Sequence, residues 1–447
     1  TPWKSIYVAS SCSFIQALQY GLFSSSVWPY LKRLDPSVSE SFFGYIVAVY
    51  SLGQCVSSPV FGYWSNRIKQ VRLPTIFGLL IMLLGNLIYI LIDMLPTGHG
   101  YAMALSRAVI GIGSSNGVLL RAYASTASTS ADRSRAIGCV AAGISIGLVI
   151  GPGLQALFTP LGEDGAHFLF GWSLHIYNAP AFLAATINVS GMLLMYFLFE
   201  EKYAGLKEDN EATTLPPPDF IAVAVCIVTR FTQLSVSTNI ETLGSAYSML
   251  MFNFSTPAAV VVNSISQAVQ GAAAAFILLP FIFLDIGKRL KQRTVNIACI
   301  ISFVAFHLIT YPWDFGGSYV TIHQGESSLG GCDAIRFNWC SAMPRVNMWL
   351  YYVALCLVFE ITFAVDNVVL PTLFSKVIGP RRQGAMQGIF QMSGSIARMT
   401  ESVILSALYD YWGPRAVWQL QIAQLGFTLV LWLIFLRRLV PLETFSR

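Results

Sequence analysis

Residues 73–95 read LPTIFGLLIMLLGNLIYILIDML, a run whose one charged side chain is Asp93. A hydrocarbon core of ~30 Å needs ~20 such residues in a helix, because every backbone N–H and C=O inside it must be paired within its own segment. The run therefore predicts a membrane-spanning helix. Upstream, the same pattern predicts spans over 5–30 and 41–64. Downstream it recurs over 101–126, 136–158, 176–199, 220–251, 257–284, 295–313, 347–374, 384–409 and 416–436. With 55% hydrophobic and 11% charged residues, the 447-residue chain has more apolar surface than a water-soluble fold buries. The expected fold class is an all-α membrane protein with twelve transmembrane helices. No span has the short apolar run and small-residue cleavage site of a signal peptide.

The formal charge of +5 raises nucleic acid as a partner, and the placement of the basic residues excludes it. If both termini face the cytosol, the cytosolic segments hold 18 of the 27 Lys and Arg, among them Lys4, Arg67, Lys69, Arg133, Lys288, Arg293, Arg381 and Arg437. The opposite side holds Lys32, Arg33, Arg336, Arg345 and Arg415, while acidic residues divide evenly. An excess of Lys and Arg without an acidic bias is a positive-inside signal, so both termini are expected in the cytosol. Six of the eight cysteines fall inside spans; Cys332 and Cys340 lie in the long connection after the ninth, on the side where a disulfide can form. The glycosylation sequon at Asn253 (Asn253-Phe254-Ser255) lands on that same side, whereas Asn188-Val189-Ser190 is mid-span.

Glu200–Asp219 is the longest polar cytosolic stretch, carrying Glu208, Asp209 and Glu211 and ending in Pro216-Pro217-Pro218. It divides the chain into an N-terminal six-helix bundle (1–199), a cytosolic linker (200–218) and a C-terminal six-helix bundle (219–447). The halves echo each other: basic turns follow the second and eighth spans, and Arg133–Gly138 resembles Arg381–Gly388. Parallel six-helix repeats are one way to build alternating access around a midplane site.

Three motifs carry a family resemblance. Gly62-Tyr63-Trp64-Ser65-Asn66-Arg67 follows the second span, Arg107-Ala-Val-Ile-Gly111-Ile-Gly113 lies in the fourth, and Gly143, Gly147 and Gly151-Pro152 lie in the fifth. Together they resemble the loop, arginine-glycine and glycine-proline motifs of the major facilitator superfamily, with Asn66 in place of the usual aspartate of the charge-relay latch. The resemblance implies two pseudo-symmetric six-helix bundles and a gating role for Asn66 and Arg67. Within that superfamily, Lys4-Ser-Ile-Tyr7, Trp28-Pro29-Tyr30-Leu31, Tyr50-Ser-Leu-Gly53-Gln54, Arg121-Ala-Tyr123 and Thr372-Leu-Phe-Ser-Lys376 resemble the lysosomal facilitators of neuronal ceroid lipofuscinosis type seven. That implies a multi-pass protein of the lysosomal or late-endosomal membrane, with the sequon and cysteines facing the lumen. An anion conductance has been proposed for that group.

Apart from Asp93, two residues from the end of its run, eight charges remain inside the spans: Arg107, Arg121, Arg230, Arg398, Glu241, Glu360, Asp366 and Glu401. A charge at a helix centre costs ~2.5–3.5 kcal/mol on insertion scales, so each is expected to face a partner or a wet cavity. Arg107 and Arg121 are nearly four whole turns apart and fall on one face, where each either meets a substrate or, for Arg107, pins the first half. Arg230 and Glu241 lie ~16 Å apart along the seventh span, beyond direct pairing. Glu360 and Asp366 serve either proton coupling or an ion pair with Arg230 or Arg398. Arg398 and Glu401 are placed i, i+3 for a local pair.

The expected function is therefore a transporter moving a small anionic or zwitterionic solute by alternating access, with Arg107, Arg121, Arg230, Glu360 and Asp366 at the substrate and Asn66, Arg67, Glu241, Arg398 and Glu401 in coupling or gating. Proton coupling through Glu360 or Asp366 is a further expectation. Two alternatives stand beside it: a channel-like chloride conductance, and a membrane sensor or scaffold that transports nothing. No enzyme is expected. Gly113-Ser114-Ser115-Asn116-Gly117 and Gly143-Ile144-Ser145-Ile146-Gly147 fit a hydrolase pattern but sit in apolar helices and not at a strand-to-helix elbow. The five histidines have no metal-ligand spacing and no phosphate loop occurs, so neither cofactor nor metal is expected.

Overall fold

The computed structural model describes residues 1–447 apart from 25, 36–39, 163–164, 168–172, 207–215, 285, 315–317, 324–329, 336 and 443–447. The middle of the expected linker, with Glu208, Asp209 and Glu211, thus lies outside the described residues. The helices are α1 (Trp3–Ser24), α2 (Val27–Leu34), α3 (Glu40–Ile68), α4 (Arg72–Ile90), α5 (His99–Gly113), α6 (Asn116–Ala127), α7 (Arg133–Ala156) and α8 (Ala179–Phe197). After the linker come α9 (Phe220–Phe252), α10 (Thr256–Phe283), α11 (Ile286–Arg289), α12 (Gln292–Ile309), α13 (Met348–Val353), α14 (Glu360–Ile378), α15 (Gly384–Trp412) and α16 (Pro414–Phe435).

Every expected span finds a helix. Nine helical segments among the described residues are long and apolar enough to cross a membrane. The other three, α1, α3 and α15, have the length, at 22, 29 and 29 residues, and intersperse polar side chains among the apolar ones. Four spans depart from a single continuous α-helix, the third by tightening into a 3-10 turn over Leu91–Met94. The first ends at Ser24, and the chain starts again as α2. The fourth tightens at Ser114-Ser115, where i→i+3 turns (Ser115 N to Ile112 O, Gly117 N to Ser114 O) separate α5 from α6. The tenth begins as α13, passes through a π-helical turn over Ala354–Phe359 and continues as α14 from Glu360.

Local chemistry places the ends. Asp219, following the triple proline, caps α9 by accepting from the N–H groups of Ile221 (2.9 Å) and Ala222 (3.3 Å). At the far end Asn253 adopts φ 60°, a left-handed conformation that asparagine tolerates, and this stops α9 at the sequon with Asn253 exposed. Gly413, at φ 80°, turns α15 into α16, whose first residue is Pro414.

The chain folds as two compact units. One comprises Thr1–Pro218, Pro280–Arg289 and Ile378–Ser395; the other comprises Asp219–Leu279, Leu290–Val377 and Ile396–Arg447. In the first unit, α1 packs most intimately on α7. A Cβ at Gly143 would lie 2.4 Å from the Ser10 carbonyl oxygen, and one at Gly147 would lie 2.6 Å from that of Phe14. The glycine series of the fifth span is therefore a close-approach seam. In the second unit α9 packs on α16 through a ladder of hydrogen bonds: Trp432 Nε1 to Thr229 (2.8 Å), Thr232 with Thr428 (2.8 Å), and Ser235 to Gln424 (2.8 Å). Of the cysteines assigned to spans, all but Cys55 are buried.

Candidate functional site

In the first unit Arg107 is 7% exposed. Its guanidinium lies over the rings of Tyr50 (4.8 Å) and Phe23 (5.5 Å), and its Nη1 meets no hydrogen-bond partner among the described residues. Aromatic faces offset part of the desolvation of a cation, but they leave its N–H donors unspent. The same unit holds a buried amide chain: Asn188 donates to Gln19 (2.9 Å) and Gln19 donates to Asn86 (3.2 Å). The engaged, buried side chain of Asn188 fits its mid-span position.

Arg121, half-buried on α6, donates to Gln391 Oε1 at 2.8 Å. Between the two arginines the turn tightens at Ser114-Ser115, which keep right-handed helical dihedrals, so α5 and α6 run on as one span, His99–Ala127. Nearby, Gln54 donates to Ser114 (3.3 Å) and accepts from Ser395 (3.0 Å).

The loop motif packs against the start of α15. Asn66 Oδ1 accepts the backbone N–H of Gly384 at 2.9 Å, and Gly62 lies so close that an added Cβ would sit 2.2 Å from the Gly384 carbonyl oxygen. Arg382 donates to the Lys69 carbonyl (3.0 Å) and stacks over Tyr203 (5.2 Å), while Arg381 donates to the Pro216 carbonyl (2.6 Å). Arg67 is exposed and takes no part in these contacts. Close by, Lys288 pairs with Asp132 (3.1 Å), which also accepts from Thr1 (2.8 Å). Partial burial alone would raise the Asp132 pKa, but the hydrogen bonds from Thr1 and Lys288 outweigh it and hold the carboxyl below the usual aspartate range.

In the second unit Arg230 (4% exposed) donates through Nη1 to Gln233 (2.7 Å) and Asn367 (2.9 Å). Asp366 is 3% exposed and feels the Arg230 charge, yet its Oδ1 accepts no hydrogen bond among the described residues. Glu360, half-buried, follows directly on the π turn and is repelled by Glu241, which is exposed and accepts from Ser237 (3.0 Å). Short π segments inside α-helices recur at functional positions.

The expected Arg398–Glu401 pair does not form. Glu401, 2% exposed, accepts instead from Gln424 Nε2 (2.6 Å) on α16, and its other oxygen has no partner among the described residues. A neighbour across the helix interface has displaced the one a turn away. Sequence reading also missed a cluster in the first unit, where Asp93 accepts from Tyr30 (2.7 Å), His175 (2.7 Å) and Asn178 (3.3 Å). The disulfide expected between Cys332 and Cys340 is present, and the adjoining Gly331 N–H is bonded to the Met249 carbonyl (2.9 Å). No group of three or more metal-ligating side chains occurs among the described residues.

Residues 9–332 match the Major Facilitator Superfamily. The chain is 28% identical to the Major facilitator superfamily domain-containing protein 8 of Xenopus laevis, over 99% of this chain and 92% of that protein. Among solved structures, the human organic anion transporter TETRAN superposes with a TM-score of 0.70 at 16% identity, covering 96% of this chain and 99% of that one. The proton:xylose symporter XylE gives 0.66 at 12% identity, covering 97% and 96%. The fold is that of membrane carriers and not of enzymes, and the chain belongs to the Major Facilitator Superfamily.

Proposed function

We propose that the chain carries a small anionic or zwitterionic solute by alternating access across a lysosomal or late-endosomal membrane, with both termini in the cytosol. Arg107, Arg121, Arg230, Glu360 and Asp366 are the groups assigned to the solute; Asn66, Arg67, Glu241, Arg398 and Glu401 are assigned to coupling and gating. One observation carries the anion: Arg107 is deeply buried, caged by aromatic rings, and its Nη1 donates to no group among the described residues. A buried cation is stable only when such donors are met, and an anionic group arriving at Nη1 meets this one. The name of the human organic anion transporter supports the substrate class, and the motif resemblance to the lysosomal facilitators supports the membrane.

Proton coupling is assigned to Asp366 and Glu360, because Asp366 is a buried carboxylate with an unmatched oxygen. On this reading the segment holding the disulfide and Asn253 faces the lumen, and Asn253 is glycosylated there. The test is uptake of a panel of radiolabelled organic anions into proteoliposomes, with Arg107→Ala and Arg121→Ala in parallel. Each variant is expected to lower uptake roughly tenfold or more, the weight of one hydrogen bond to a charged group. Currents far above carrier rates would replace the carrier with a conductance, and absence of any flux would replace it with a sensor. Uptake indifferent to a pH gradient would remove proton coupling.

A further inference from the structure

A groove of about 720 Å³ lies in the second unit, and it is unrelated to the groups assigned to transport. Its walls are the end of α12 (Leu308, Ile309), the start of α13 (Met348, Trp349, Leu350), and the connecting residues Tyr311, Trp313, Ser318 and Arg345. Two spans end at this level, so the groove sits where the hydrocarbon gives way to headgroups.

The lining divides by chemistry. Leu308 (42% exposed), Leu350 (47%) and Trp349 (71%) present apolar surface on the span side. Trp313, Tyr311 and Trp349 are the residue types that settle at a bilayer interface. Arg345 is exposed, and its guanidinium is paired with no carboxylate or carbonyl among the described residues. Arg415 behaves differently: it is satisfied by Asp314 and by the Pro312 carbonyl (3.1 Å). The Tyr311 hydroxyl accepts a hydrogen bond from Gln419 Nε2 (2.8 Å), so its own hydrogen is available to donate. Among the described residues no Asp or Glu lines the groove.

From this lining we infer that the groove seats one anionic phospholipid, with its phosphate on Arg345 and the hydroxyls of Tyr311 and Ser318, and an acyl chain along Leu308 and Leu350. A planar guanidinium favours phosphate, and the apolar floor excludes a purely soluble anion as the best occupant. A zwitterionic headgroup would bring its own cation to a wall with no carboxylate to receive it. The lipid belongs to the leaflet on the side of the Cys332–Cys340 disulfide.

The experiment is native mass spectrometry of the full chain in detergent, with phosphatidylglycerol or phosphatidylcholine added at equal concentration. One phosphatidylglycerol retained in preference to phosphatidylcholine is expected, and Arg345→Gln should lower that retention about fivefold, the weight of one arginine at a membrane surface. Because Arg345 is exposed, Arg345→Gln should leave thermal unfolding unchanged; a large shift would replace it with Arg345→Lys, which should retain preference for the anionic lipid. Equal retention by wild type and Arg345→Gln overturns the assignment. So does displacement of the lipid by millimolar inorganic phosphate, which would make the groove a free-anion site.

Discussion

Asn66 Oδ1 holds the backbone N–H of Gly384 at 2.9 Å, so a residue after the second span caps the helix that forms the eleventh. The superfamily pattern has an aspartate there, and this chain makes the contact without the charge. Asn66→Ala should cost about 0.5–2 kcal/mol, the usual loss for a capping side chain. Asn66→Asp should add about 0.3–1 kcal/mol through the helix dipole. Thermal unfolding in detergent distinguishes them, and an unchanged midpoint for Asn66→Ala would show that the cap contributes nothing.

The seam between α1 and α7 admits no side chain at Gly147, where a Cβ would meet the Phe14 carbonyl at 2.6 Å, but it leaves open space at Gly153. Gly147→Ala should destabilise by about 1–3 kcal/mol, as overpacking against backbone does. Gly153→Ala should stay within about 0.5 kcal/mol. Paired melting curves check both, and equal effects would mean that the seam yields freely.

Asp132 contributes to pH dependence with a definite sign. Its folded pKa is held down by Thr1 and Lys288, so its stabilisation is fully present above the unfolded aspartate value of about 3.9 and is lost as pH falls through the lower folded value. The melting-point difference between wild type and Asp132→Asn should therefore be constant above about pH 5 and close in more acidic buffer. A difference that grows on acidification would contradict the assignment.

Cys332 and Cys340 are 0% and 1% exposed, and their bond closes a short loop against the end of α9. A loop of that size restrains the unfolded chain by about 2–3 kcal/mol. The double variant Cys332→Ser, Cys340→Ser should melt lower by a corresponding amount. Native protein should resist a membrane-impermeant reductant until it unfolds, and prompt reduction in the folded state would show the bond to be exposed.

The spans were legible because apolar length is a local property, and α1, α3 and α15 were legible even with many polar side chains. The internal breaks were not. Nothing in the composition of Ser114-Ser115 or Ala354–Phe359 separates a regular turn from a tightened or widened one, because packing partners far along the chain decide it. The same holds for Glu401. Spacing offers Arg398 one turn away, but Gln424, 23 residues distant, is the side chain that reaches it. The aromatic cage of Arg107 joins Phe23 and Tyr50 from two other spans, a meeting that no local pattern encodes. The eight intramembrane charges were found from sequence, and the hydrogen-bond partners of Arg121, Arg230, Glu241 and Glu401 came from the fold.

The widened turn at Ala354–Phe359 has a consequence for the helix on either side of it. A π turn houses one residue more than the α turn it replaces, and each residue of an α-helix advances the azimuth by about 100°. Removing one residue from this stretch should thus restore a regular helix while Tyr351 and Asp366 keep their present directions. The same deletion placed four residues later would rotate everything beyond it. The surplus residue is a local slack loop wound into the helix, and Glu360 sits at the point where that slack runs out.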